Sequence, residues 1–271
     1  MDYITCILND PVTARSVLRT GRLLSQRLQD SQLRVLCPRP ARDPNFMPTE
    51  EVMTDERRER FIGREETRLR KINRLFEAWK INDARAAVFE EVEGDVAEIV
   101  AAAARQATLV VAGAAYGTEQ TDAAATIETV LAERASAIVV VPKEPPVLVG
   151  TCPGIAWKRN VQLNAAISSA LKLLLTADQV HLLIEAEKAE EDAKLQDLVM
   201  TLQRHAVPVE IHHVELGGRH AGQYLIQEAH RAGSDLLVMG AHTQSWFRDL
   251  LLGGRSKDVL AHLDLPVLLH G

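Results

Sequence analysis

Cysteine is scarce in this sequence: Cys6, Cys37 and Cys152 are the only three in 271 residues. They are odd in number, widely spaced and free of any Cys-x-x-Cys pair, which excludes a disulfide framework or a cysteine zinc site and fits the reduced thiols of a cytoplasmic protein. Aromatic residues are also few, at 4%. No apolar run approaches the ~20 residues of a membrane span. The opening MDYITCILND begins as a strand and lacks the basic and apolar regions of a signal peptide. Neither half carries an excess of positive charge either. The net charge is −6, residues 1–146 carry 20 basic and 23 acidic side chains, and residues 147–271 carry 11 and 14, so no phosphate-tracking surface for nucleic acid is expected.

The motifs of several enzyme classes are missing. There is no Gly-x4-Gly-Lys-Ser/Thr, no Gly-x-Gly-x-x-Gly and no Gly-x-Ser-x-Gly, which argues against a motor ATPase, a dehydrogenase and a serine hydrolase. All nine histidines follow residue 180. The adjacent pair His212-His213 lies in a strand-like run, where neighbours point to opposite faces, so the pair cannot share one ion and no metal site is expected. Cys6 and Cys37 fall on expected strands, as buried inert thiols do.

With 46% hydrophobic and 25% charged residues, the chain has the composition of a folded globular protein. Short β-rich runs alternate with helical periods. The first half reads as strands at Tyr3–Leu8, Leu33–Cys37, Ala86–Glu90, Leu109–Ala112 and Ile138–Val141. Helices are expected near 13–28, 50–79, 95–105 and 123–133. Within the second of these, Asp55 to Arg74 interleaves Glu with Arg at spacings such as Glu56–Arg60 and Glu66–Arg70, the pattern of a solvated helix face. The second half repeats the order, with strands ending at Trp157 and spanning Val180–Ile184, Val207–His213, Leu236–Met239 and Val267–Leu269. Its helices are expected near 161–175, 189–204, 221–231 and 256–262. Such alternation predicts an α/β fold with parallel sheets and crossover helices. Between the halves, VVVPKEPPVLVGTCPG (139–154) cannot continue a helix and marks a linker. Two units are expected, 1–146 and 147–271, each with five strands and large enough to hold its own core.

In a doubly wound sheet, ligands bind beyond the carboxyl ends of the strands where strand order reverses. The loop after Asp235–Met239 stands out: Gly240-Ala-His-Thr-Gln-Ser-Trp-Phe-Arg-Asp-Leu-Leu-Leu-Gly253-Gly254-Arg-Ser256. Bare backbone amides followed by a helix start suit a phosphate cradle. The same residues also suit a tight strand-to-helix connection with no ligand.

The segment DLLVMGAHTQSWFRDLLLGGRSKDVLAHLDLPVLL resembles the C-terminal signature of universal stress proteins, whose nucleotide-binding members carry Gly-x2-Gly-x9-Gly-Ser/Thr after the fourth strand. The whole chain is similar to the tandem bacterial members with a degenerate first repeat, in which a helix ending in an aromatic pair (here Phe76 and Trp79) precedes the third strand. The resemblance implies two Rossmann-like repeats, of the adenine nucleotide alpha hydrolase-like kind, in contact through their last strands, Ile138–Val141 against Val267–Leu269. It also implies protein partners, with a homodimer through the last strands as one form.

Carried onto this sequence, the motif is incomplete. Gly240 and Gly253 occupy the first and third glycine positions, but Thr243 stands at the second. A β-branched residue there tolerates positive φ poorly and intrudes where phosphate oxygens would approach. Gly254 replaces the hydroxyl residue, with Ser256 nearby. The acidic position at the end of the first strand falls at Lys158, which can attract a phosphate only as a point charge. In the first repeat Asp10 fits the acidic position, with a helix N-cap as its structural alternative, but the loop after Leu109–Ala112 lacks the second half of the motif. The candidate nucleotide-binding set is therefore Gly240, His242, Thr243, Ser245, Gly253, Gly254 and Ser256, with Trp157, Lys158 and Asp10. The tryptophans are scattered, with Trp157 at a strand exit and Trp246 in the loop as candidates to line one crevice.

The function expected on this basis is that of a non-catalytic, stress-linked binding module. No cofactor is required; the ligand class in view is ATP, another adenine nucleotide or another small anion, held weakly at the second repeat. Two alternatives stand beside it: slow ATP hydrolysis at 240–256, for which Asp249 is the nearest metal-holding carboxylate, and a ligand-free interaction scaffold.

Overall fold

A computed structural model describes residues 2–29, 31–44, 46, 54–81, 87–115, 121–158, 160–185, 192–214, 221–241 and 263–271. The elements follow in the order β1 (Asp2–Ile7), α1 (Ala14–Arg27), β2 (Ser31–Pro40), α2 (Asp55–Ile81), β3 (Val88–Gly94), α3 (Val96–Gln106), β4 (Leu109–Gly113), α4 (Thr121–Glu133) and β5 (Ala137–Val141). They continue with β6 (Pro153–Trp157), α5 (Val161–Leu174), β7 (Val180–Glu185), α6 (Ala193–Arg204), β8 (Val209–Val214), α7 (Ala221–Arg231), β9 (Leu236–Gly240) and β10 (Val267–His270). The helix expected at 256–262 lies outside the described residues.

The ten strands among the described residues form one sheet in the order β3-β2-β1-β4-β5-β10-β9-β6-β7-β8. Each half has the same internal order, so β1 to β5 map onto β6 to β10 in sequence. Pairing is parallel everywhere except at the centre, where β5 meets β10 antiparallel with Val140 opposite Val267, Val139 opposite Leu268 and Ile138 opposite Leu269. These strands carry buried apolar residues on both faces, which is why they occupy the middle of the sheet. The same pairing corrects the expectation of a homodimer through the last strands. β5 is bonded to β4 and β10, and β10 to β5 and β9, so neither keeps an edge for a second chain; the sheet ends at β3 and β8.

Alternate residues of the strands feed two cores, one on each face. Cys6, Val111, Val139, Ile155, Leu182 and Val238 pack under α1, α2, α5 and α6. Val110, Ile138, Val140, Leu183, Leu237 and Val267 pack under α3, α4 and α7. Both cores cross from one half to the other, and Phe76 of α2 reaches Phe89 of β3 at 4.8 Å between ring centroids.

Three expectations shift. α2 starts at Asp55 rather than residue 50, with 47–53 outside the described residues. β3 runs from Val88 to Gly94, later than Ala86–Glu90, because this edge strand alternates partly buried with exposed acidic residues rather than following the apolar run. β2 continues through Pro38 and Pro40 to pair with β3. Its pairing with β1 ends at Leu36, whose carbonyl accepts from Leu8. Alternation turns the amide positions of Pro38 and Pro40 to that same vacated side, so no ladder bond is lost.

The solvated-face reading of α2 holds for most of its charges: only Leu69, Ile72 and Phe76 are buried, one stripe at helical spacing. Arg68 is the exception. Its guanidinium donates to the carbonyls of Asn9 (3.0 Å) and Pro38 (2.8 Å) and pairs with Glu65 at 2.8 Å, fastening α2 to the exits of β1 and β2.

Candidate functional site

Strand order reverses in the second half between β6 and β9, the kind of place at which doubly wound sheets hold ligands. The last matched pair is Ile155 opposite Val238, which puts Trp157 and Gly240 two residues further on at neighbouring strand exits. The N-terminus of α5 closes this corner. Asn160 caps it, its side-chain oxygen accepting from Leu163 N at 2.6 Å, as asparagine at a helix start does. Gly240 lies so close that a Cβ there would stand 2.5 Å from Leu163 N and 2.7 Å from Asn160 Oδ1. Only a residue without a side chain permits this contact, so the glycine has a packing reason independent of any ligand.

The other sequence candidates separate. Trp157 turns its ring into the core, buried, and its indole N–H donates to Asp192 Oδ2 at 3.1 Å. Asp192 in turn caps α6 through Lys194 N at 3.1 Å. Lys158 is exposed at the exit of β6. His242, Thr243, Ser245, Gly253, Gly254 and Ser256 lie outside the described residues, as do Trp246 and Asp249.

The first half repeats the corner with different residues. Gly113 ends β4 against Thr13, the residue before α1, and a Cβ on Gly113 would collide with Thr13 Oγ1. Asp10 is not the N-cap. Its carboxylate accepts from Val12 N at 2.8 Å, forming an Asx turn that leads into α1. Thr13 occupies the cap position without a side-chain cap bond. Asn9 donates to Thr126 of α4 at 2.5 Å.

Beyond the ends of β2 and β3 lies a cavity of about 560 Å³, lined in part by Pro40, Asp43, Phe46, Asp95 and Thr126. Asp43 is buried and paired with Arg57 at 3.3 Å. The Arg57 guanidinium sits 5.2 Å from the Phe46 ring centre, within the range of a cation–π contact. Nothing in the sequence announced this hollow, because it is assembled from two loops and a helix start that are distant along the chain.

Burial, the dominant effect, raises the thiols of Cys6 to about 12 and Cys37 to about 11, and raises that of Cys152 as well. Neutral thiols are poor nucleophiles, as expected for the first two. Burial, and then the adjacent His212 ring, lower the pKa of His181 below its ordinary value, against the smaller opposing pull of Glu210 and Asp235.

Residues 163–270 match the model of the universal stress protein family. This half is a universal stress protein domain. The matched span covers β7 to β10 and α5 from Leu163 onward, so Gly240 lies inside it, whereas β6 and the Asn160 cap precede it. Among solved structures, the chain is similar to a universal stress protein from Archaeoglobus fulgidus DSM 4304, with 15% identity, a TM-score of 0.66, and 99% of this chain and 96% of that chain covered. It is also similar to a functionally unknown protein from Pseudomonas aeruginosa PAO1, with 12% identity, a TM-score of 0.50, and 100% and 92% covered. At these identities the likeness establishes the fold, and it extends over the first half as well as over the universal stress protein domain. No curated protein sequence matches the chain significantly. Among the described residues no helix is long and apolar enough to cross a membrane.

Proposed function

We propose that the chain is a non-catalytic stress-response module of two repeats, 1–146 and 147–271, that holds an adenine nucleotide or another small anion weakly at the second repeat and acts through protein partners. The observation that carries this reading is the corner at the β6/β9 reversal, where Gly240 abuts the N-terminus of α5. A helix start with its positive dipole end beside a strand-order reversal is a favourable place for an anion. The candidate residues from His242 to Ser256 follow β9 in the sequence. The weakness follows from Thr243 at a glycine position of the family pattern and from Lys158 at the acidic one.

Slow ATP hydrolysis is the competing reading, and thermal unfolding with phosphate release separates the two. With ATP at a concentration equal to a millimolar Kd, binding stabilises by RT ln 2, about 0.4 kcal/mol. That corresponds to about 1 °C in Tm for a protein of this size. A small magnesium-insensitive shift without phosphate release is expected; phosphate release above the buffer blank would establish the enzyme instead.

A further inference from the structure

We propose that His181, Glu210 and His212 form a divalent-cation site of the zinc class on the outer pair of strands at the β8 end of the sheet. Strand register brings them together. β7 and β8 are parallel with His181 opposite Glu210, and His212 follows two residues later on the same face. His213 takes the other face, so the adjacent histidines do not cooperate, but the histidine one strand away supplies the partner that adjacency could not.

The geometry is close to that of a ligand set. His181 Nδ1 and His212 Nε2 are 3.0 Å apart, His181 Nδ1 is 3.6 Å from Glu210 Oε2, and His212 Nε2 is 3.9 Å from Glu210 Oε1. Tetrahedral zinc with ligand bonds of about 2.0–2.1 Å sets its ligand atoms about 3.3–3.4 Å from one another. The distance between the two ring nitrogens lies just below that value and the nearest Glu210 oxygen to each ring lies just above it, so the three groups stand within reach of one ion.

The donor set selects the metal. Two imidazoles and one carboxylate suit zinc, nickel or cobalt, whereas magnesium and calcium prefer all-oxygen sites. Three protein ligands leave a fourth position, and the graded exposure of the side chains, 6% for His181, 26% for His212 and 54% for Glu210, leaves it facing solvent. Gln179 donates to Glu210 Oε2 at 2.7 Å and so orients the carboxylate, as outer-shell amides do around bound metals. The ligands stand on β-strands rather than loops, which keeps the set preorganised. His181 and Glu210 are each the second residue of a parallel strand, so this cluster lies at the opposite end of the strands from the Gly240 corner. Nucleotide binding and metal binding are therefore separable.

Without metal, the same three residues form a hydrogen-bonded polar cluster that protects an edge strand. Titration calorimetry of the full chain with zinc chloride, and the visible spectrum of the cobalt(II) form, distinguish the two. One equivalent of zinc and a tetrahedral cobalt spectrum are expected, both insensitive to excess magnesium. Glu210→Gln, a change at an exposed side chain, should weaken zinc about tenfold or more, in the range that outer-shell changes alone reach. His212→Ala should weaken it further, and His213→Ala should leave it unchanged. Absence of stoichiometric zinc binding, or binding that Glu210→Gln and His212→Ala both leave intact, would overturn the proposal.

Discussion

The Asp235 carboxylate accepts the backbone N–H of Gly150 at 2.9 Å, and the same group accepts from Thr151 at 2.8 Å and Cys152 at 3.1 Å. One side chain at the start of β9 thus gathers the end of the interrepeat segment and sets the entry to β6. Arg27 of α1 holds the same segment from the other half, donating to Thr151 Oγ1 at 3.3 Å and to the Thr176 carbonyl at 2.7 Å. Hydrogen bonds to a charged group contribute about 1.5–3 kcal/mol each. Asp235→Ala should therefore cost at least about 2 kcal/mol in urea unfolding, and a loss below ~0.5 kcal/mol would contradict this role.

The three glycines at 63, 113 and 240 should respond in opposite directions to alanine. At Gly240 the obstructing atoms are mainly backbone, Leu163 N and Gln162 C, and cannot rotate away; at Gly113 they belong to the rigid Thr13 side chain. Overpacking of this kind costs about 1–3 kcal/mol. Gly63, inside α2, has nothing within 4 Å of its would-be Cβ. Gly63→Ala should therefore stabilise by about 0.5–1 kcal/mol through helix propensity. Thermal unfolding of the three variants checks the contrast.

The buried thiols give a pH dependence with a definite sign. Folding raises Cys6 from its ordinary 9.0 to about 12, so the folded state keeps a proton that the unfolded chain releases. Stability from this group is complete below pH 9 and is lost as pH rises from about 9 towards 12, because the unfolded chain then binds fewer protons than the folded one. At mildly alkaline pH, below that range, a thiol reagent should leave Cys6 and Cys37 unmodified in the native protein and reach all three cysteines in denaturant. Rapid native labelling of Cys6 would refute its burial.

Arg68 and Glu65 form a nearly buried pair, 15% and 12% exposed at their side chains. Breaking such a pair by removing one partner typically costs about 3–5 kcal/mol, whereas replacing both by apolar groups costs far less. Arg68→Met should accordingly be much more damaging than Arg68→Met combined with Glu65→Met, as measured by urea unfolding in a double-mutant cycle. Equal losses would show that the guanidinium contacts to Asn9 and Pro38 dominate.

Periodicity made most of the fold legible, because each buried strand is a run such as LVVA or IVVV and each helix has an apolar stripe. The order of the halves and the meeting of β5 with β10 followed from the family resemblance, and the register confirms that meeting. What stayed hidden depends on contacts between strands or between elements. His181 and His212 are 31 positions apart, and only the register of β7 against β8 joins them to Glu210. Arg68 looks like its solvated neighbours on α2 until the helix is placed over the ends of β1 and β2. Gly240 was legible as a special position, but its contact with the cap of α5 was not, since a glycine that admits a ligand and one that admits a neighbouring helix read alike.

Calorimetric titration of ATP into the wild-type chain and Thr243→Gly tests most directly whether the second repeat keeps an impaired anion site. Weak binding by the wild type, strengthened when the glycine is restored, is the predicted result. Tight binding by the wild type that the substitution leaves unchanged would contradict the reading of Thr243 as the lesion.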